Sequence, residues 1–126
     1  MAKYVDGFVL VIPDNKEDEY RKMAEDGRNS WMKHGALSYF ECKGDDLMTQ
    51  DSGGGKPLEF TKLANAGPGE NVWFSFIVFK SKKHRDEVNK KVMDEMNEKY
   101  KDAKDFSMPF DIQRFSYGGF EVVVEG

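Results

Sequence analysis

Cysteine is almost absent from this chain. Cys42 stands alone, so an intrachain disulfide is excluded. Histidine is scarce as well: His34 and His84 are the only two, with no H-x-x-x-H and no Cys–His pair at ligand spacing. A metal site is therefore not expected. No stretch approaches the roughly 20 apolar residues of a membrane-spanning helix. The opening "MAKYVDGFVLVI" has one early lysine and a short apolar run broken by Asp6, without the cleavage site of a secretory signal. The expectation is a soluble, cytoplasmic protein. Positive charge is not in excess either. Nineteen Lys and Arg stand against 23 Asp and Glu, a net charge of −4. Nucleic-acid binding rests on neutralising phosphates, so no nucleic-acid partner is expected. The lysines of "KSKKHR" and "NKK" are interleaved with acids and read as a solvated helix face.

What is present is material for a core. The chain has 126 residues, 39% of them hydrophobic, with 10 Phe. That suits one domain spanning 1–126, large enough to fold without staples.

Residues 4–12, "YVDGFVLVI", read as a first strand ended by Pro13. In the segment that follows, Tyr20, Met23, Ala24, Gly27, Trp31 and His34 recur every three or four residues. That is one stripe of a helix, with Asp14 or Asn15 able to cap it and Gly35 at its exit. "ALSYFECKGDDL" alternates as a second strand. Residues 49–69 form the one long irregular segment, rich in Gly and Pro, of the kind that often serves as a functional loop or lid. "NVWFSFIVFK" is apolar on both faces and reads as a central strand. Ser81 is a good N-cap for a second helix with His84, Val88, Val92, Met96 and Tyr100 facing inward. "FDIQRFSYGGFEVVV" completes the chain as a long last strand, with Gly118 and Gly119 inside it.

The order is βαββαβ, the ferredoxin-like pattern of an α+β protein: an antiparallel sheet with both helices on one face. The third strand has no polar face to give to water, so the uncovered sheet face is expected to be covered by a second copy. The two glycines are expected to permit a bulge, or a close approach, where the terminal strand meets that dimer.

Several of these stretches together, "YVDGFVL", "HGAL-Y-EC", "HRDEVNKKVM" and "SMPFD…YGGFE", resemble the YbaA-like family of small bacterial proteins, a domain of unknown function numbered 1428. The resemblance covers nearly the whole chain and is poorest at 49–69. It implies a ferredoxin-like homodimer closing into an α/β barrel. It does not imply a reaction. The fold class holds cofactor-free monooxygenases, haem-handling enzymes and plain binding modules, and fold likeness does not choose among them. No cofactor is expected, since nothing in the sequence demands one.

The candidates for chemistry are the charges set among aromatics. Asp6 interrupts an apolar strand. Glu41 shares a strand face with Tyr39. Arg114 falls on the last strand, which neighbours the first in this fold, and is expected beside Asp6. Asp6, Glu41 and Arg114 form either a polar floor for a ligand, with a carboxylate free to move a proton, or a buried salt bridge that fixes the fold. His84 and Arg85 open the second helix. There His84 would stay neutral and act as a base, or else serve as a cap or core residue. Tyr39 and Phe74 are expected to line a pocket, and Arg85 to bind there. Cys42, beside an acid and on the opposite face, is not expected to be a reactive thiolate. The resulting expectation is a homodimer that binds, or acts without a cofactor on, a small and partly apolar molecule. The alternative is a structural or interaction protein with no catalytic activity.

Overall fold

A computed structural model describes residues 2–102 and 107–126. Four strands form one antiparallel sheet in the order β2-β3-β1-β4. They are β1 (Tyr4–Pro13), β2 (Ser38–Lys43), β3 (Glu70–Phe79) and β4 (Ser116–Glu121). Helix α1 (Glu17–Lys33) joins β1 to β2, the short α2 (Phe60–Leu63) lies before β3, and α3 (Lys82–Lys99) follows it. This is the expected ferredoxin-like fold.

The longest ladder pairs Tyr4 with Phe79 and continues to Pro13 opposite Glu70. Its alternation decides what faces the helices. Phe8, Leu10 and Ile12 of β1, with Trp73, Ile77 and Phe79 of β3, join α1 and α3 in two apolar clusters. Helix α1 buries Tyr20, Ala24, Gly27 and Ser30, and α3 buries Val88 and Val92. These residues recur at the three- and four-residue spacing of a helix face. The Ser81 hydroxyl caps α3 by accepting from the His84 N–H at 3.1 Å. Gly35 leaves α1 at φ +112°, a conformation that favours glycine. The start of α1 differs from expectation. A 3₁₀ turn over Asp14–Lys16 precedes the helix, and no side chain caps it.

No described helix covers the other sheet face. Phe40, Phe74 and Phe120 are exposed there at 49%, 44% and 61%. Phe74 and Phe120, with Val5, Val9 and Phe76, border a shallow apolar concavity, and Phe40 stacks on Phe76 beside it.

The last strand is shorter than its pattern predicts. The Asp111 carboxylate accepts from the Gln113 N–H at 2.9 Å and starts a 3₁₀ turn over Ile112–Arg114. Such a local side-chain bond competes with the ladder, and β4 begins only at Ser116. At the far end, the Val122 N–H still donates to the Lys3 carbonyl. Val123 and Val124 have run past the start of β1 and lie exposed.

No bulge occurs at the paired glycines. Asp6 faces Gly119 and Gly7 faces Gly118 in an unbroken register. Close approach explains them instead. A Cβ on Gly119 would lie 2.5 Å from the Tyr4 hydroxyl and 2.7 Å from its ring. On the opposite face the Phe120 ring lies over Gly7 and Gly118. Each ring covers backbone that a side chain would otherwise hold away.

Candidate functional site

Between the sheet and the two helices lies a cavity of about 570 Å³. Its floor is Asp6 and Phe8 of β1, Ser75 and Ile77 of β3, and Tyr39 and Glu41 of β2. Its walls are aromatic and thioether side chains, among them Tyr20, Trp31, Phe115 and Met93. Two carboxylates of the floor interrupt this lining.

The first is Glu41. Tyr20 donates to its Oε2 and Tyr39 to its Oε1, both at 2.7 Å. Burial pushes the Glu41 carboxyl above its ordinary 4.5, and hydrogen bonds from Tyr20, Tyr39 and Ser75 pull it only part of the way back. Burial, then the charge of Glu41, raise both phenols. The tyrosines therefore remain O–H donors at ordinary pH. Among the described residues Glu41 forms no ion pair. A carboxylate offers about four lone-pair sites, so the hydroxyls of Tyr20, Tyr39 and Ser75 leave capacity for one further donor.

The second is Asp6, 5% exposed. Arg85 Nη1 donates to its Oδ1 at 2.7 Å and Asn89 Nδ2 to its Oδ2 at 3.2 Å. Asn89 also accepts from the Trp31 indole at 2.9 Å, so α1 and α3 meet over this carboxylate. Arg85 is held further by Asp86 at 2.8 Å and by stacking 4.8 Å above the centre of the Tyr4 ring. Register explains the arrangement: Asp6 stands opposite Ile77, and Tyr39 is on the other side of that same residue.

Asp6, Glu41, Tyr39 and Arg85 thus border one space. Three other expected members do not. Arg114 is remote from Asp6, because it sits in the 3₁₀ turn before β4. It clasps Glu70 with two bonds of 2.8 and 2.6 Å and also bonds Asp111. The Arg114 bonds, then the Gly67 N–H, hold the Glu70 carboxyl down at about 2. Phe74 lies on the bare face of the sheet, since its neighbours Trp73 and Ser75 take the helix face. His84 does not line the cavity. Its Nδ1 accepts from the Lys80 N–H at 3.0 Å, a bond that stabilises the start of α3. The segment 49–69 contributes no lining residue, so it is not a lid over this space.

Tyr20, Trp31 and Asn89 have parts that the sequence does not announce. Tyr20 and Trp31 lie on an apolar stripe and look like core. Asn89 sits in a charged run, yet it is one turn after Arg85, the spacing at which two helix residues share a face. Gly27 is the available signal. Glycine inside a helix is unfavourable by about 1 kcal/mol relative to Ala, so its presence needs a reason. That reason is Tyr39: a Cβ on Gly27 would lie 2.9 Å from the Tyr39 hydroxyl.

The described residues contain no group of three or more His, Cys, Asp or Glu placed to hold a metal ion. No described helix is long and apolar enough to cross a membrane.

The chain is similar in fold to a dimeric ferredoxin-like protein from an uncultured marine organism, with a TM-score of 0.57 and 9% identity over the whole of both chains. In sequence it is 39% identical over 125 residues to the uncharacterized protein YbaA of Escherichia coli K12, covering 98% of each chain. The YbaA of Shigella flexneri matches to the same extent. Residues 3–112 match the family described as "Protein of unknown function (DUF1428)". With that match and near full-length identity to YbaA, the chain belongs to the DUF1428 family.

Proposed function

We propose that this protein is a homodimer in which each subunit binds a small, partly apolar molecule between its sheet and helices. The observation that carries this reading is the cavity itself. Its volume falls within the range of small-molecule sites, about 300–1,000 Å³, and it is bordered by Asp6, Glu41 and Arg85 within an aromatic lining. A packed core would fill such a space with side chains. Glu41 is the group available to take a hydrogen bond or a proton from the ligand. Asp6, tied to Arg85 and Asn89, is the fixed end.

The dimer is supported by the exposed Phe40, Phe74 and Phe120 on the helix-free face. A second copy is the simplest cover for that face, and the marine ferredoxin-like protein is described as dimeric.

Thermal-shift screening of a small-molecule library tests the binding reading. Wild type and Met93→Trp are compared, because Met93 lines the cavity yet is half exposed and can be enlarged cheaply. Compounds that raise the wild-type Tm and fail to raise that of Met93→Trp are the expected result. Equal shifts in both proteins, or none in either, would favour a structural role for the dimer.

A further inference from the structure

We propose, building on the binding reading above, that the cavity's ligand is an organic cation. Its protonated amine pairs with Glu41, and its apolar body lies among Phe8, Tyr20, Trp31 and Met93. Three acids line the cavity, Asp6, Asp26 and Glu41, against one cation, Arg85. Arg85 is already neutralised by Asp6 and Asp86. Asp26 has Lys99 at 3.8 Å, near the surface. Glu41 has hydroxyl donors only, and no counter-charge among the described residues. Arg28 acts on the Tyr39 hydroxyl from outside the cavity lining.

A largely buried carboxylate without a cation is costly. The phenols ease that cost without cancelling the charge. A ligand ammonium would cancel it, by donating to the lone-pair capacity that Tyr20, Tyr39 and Ser75 leave free. The lining suits such a ligand in a second, independent way. Aromatic faces attract cations through their quadrupole, and Tyr20, Tyr39 and Trp31 surround the carboxylate's end of the space. Methionines from both helices, with Met108, supply adaptable apolar walls for the rest of the molecule. An anionic ligand would meet Glu41 as a like charge, with Arg85 already occupied.

The test uses three molecules of nearly one shape: phenethylamine, phenethyl alcohol and phenylacetate. Each is titrated into wild-type protein at neutral pH while the Trp31 indole N–H signal is followed by NMR. Trp31 reports because its indole donates to Asn89 at the cavity wall. The amine is expected to bind roughly tenfold or more tightly than the alcohol, the scale of a desolvated cation–aromatic and ion-pair preference. Phenylacetate should bind most weakly. Glu41→Gln should abolish the preference for the amine over the alcohol. If the alcohol or the acid moves the Trp31 signal as readily as the amine, the cation assignment is wrong while the binding cavity stands. If none of the three moves it at millimolar concentration, both the assignment and the binding reading lose their support. The wild-type comparison does not depend on any variant folding.

Discussion

The Tyr39 hydroxyl lies 2.9 Å from where Gly27 would carry a Cβ, closer than a Cβ tolerates. From there it donates to Glu41 at 2.7 Å. A missing methyl on α1 thus sets the position of a donor on β2, and through it the environment of the cavity's unpaired carboxylate. Gly27→Ala sets two effects against each other. Helix propensity gains about 1 kcal/mol, while overpacking of this kind costs typically 1–3 kcal/mol. The expected outcome in urea denaturation is a net loss of about 1 kcal/mol. NMR titration should show the Glu41 carboxyl rising further as Tyr39 is pushed away. A stabilised variant with an unmoved Glu41 would show that Tyr39 adjusts without consequence.

Glu41 also gives the protein a pH dependence of definite sign. Its folded-state pKa is raised above 4.5, with burial as the main cause. Such a group contributes stability that is fully present below its unfolded-state pKa and lost as pH rises through the folded one. Compared with Glu41→Gln at each pH, wild type should lose relative stability on moving from below pH 4.5 through the raised value, then level off. Paired urea melts across pH measure this. A difference that runs the other way would mean that the carboxylate is better solvated or paired than the geometry indicates.

Asp6 and Arg85 are not equivalent targets. Arg85→Ala leaves a buried carboxylate with only Asn89 to stabilise it. Removing one partner of a buried pair in this way is expected to cost about 3–5 kcal/mol. Asp6→Asn leaves an arginine that keeps Asp86 and is partly exposed, and about 1–2 kcal/mol is expected. Chemical denaturation of the two variants decides the order. Equal costs would contradict the asymmetry in burial, 8% side-chain exposure for Asp6 against 20% for Arg85.

The paired glycines should respond differently to the same methyl. Gly119→Ala meets the Tyr4 ring, which also lies under Arg85. It is expected to destabilise by about 1–3 kcal/mol. A Cβ on Gly118 meets Phe120 no closer than 3.7 Å, an ordinary contact. The subunit should tolerate it with a change under about 1 kcal/mol. Thermal melts of both variants check this, and a costlier Gly118→Ala would point to the dimer contact instead.

The bare sheet face makes the last prediction. Phe74→Lys places a charge at the centre of the proposed subunit contact without touching the helix-side core. Sedimentation should show a folded monomer where wild type is a dimer. An unchanged dimer would move the contact elsewhere.

The βαββαβ order and the helix stripes were legible in the sequence because each is a periodic signal. The alternation of β3 was legible too, but not which set faces the helices, so Phe74 was expected at the cavity and lies on the bare face. The end of the chain was not. "FDIQRFSYGGFEVVV" reads as one strand, but the Asp111 side chain starts a turn and β1 gives no partner past Lys3. That shift took Arg114 away from Asp6, and the true partner, Arg85, came from the helix overhead. Glu41 and Tyr39 were visible as neighbours on a strand face. Their link to Tyr20 was not, since periodicity places a residue on a helix without saying which sheet side chain lies beneath it. The expected connection at 102–109 falls partly outside the described residues, at 103–106.

Native mass spectrometry of protein purified gently, with no ligand added, decides whether the protein is a ligand-holding dimer. It weighs the oligomer and any retained molecule together. A dimer carrying a discrete extra mass on each subunit is expected, with that mass lost in Met93→Trp and, for a cationic ligand, held less tightly in Glu41→Gln. A monomer would contradict the dimer. A dimer with no extra mass, unchanged after incubation with phenethylamine, would contradict the cavity's role as a binding site.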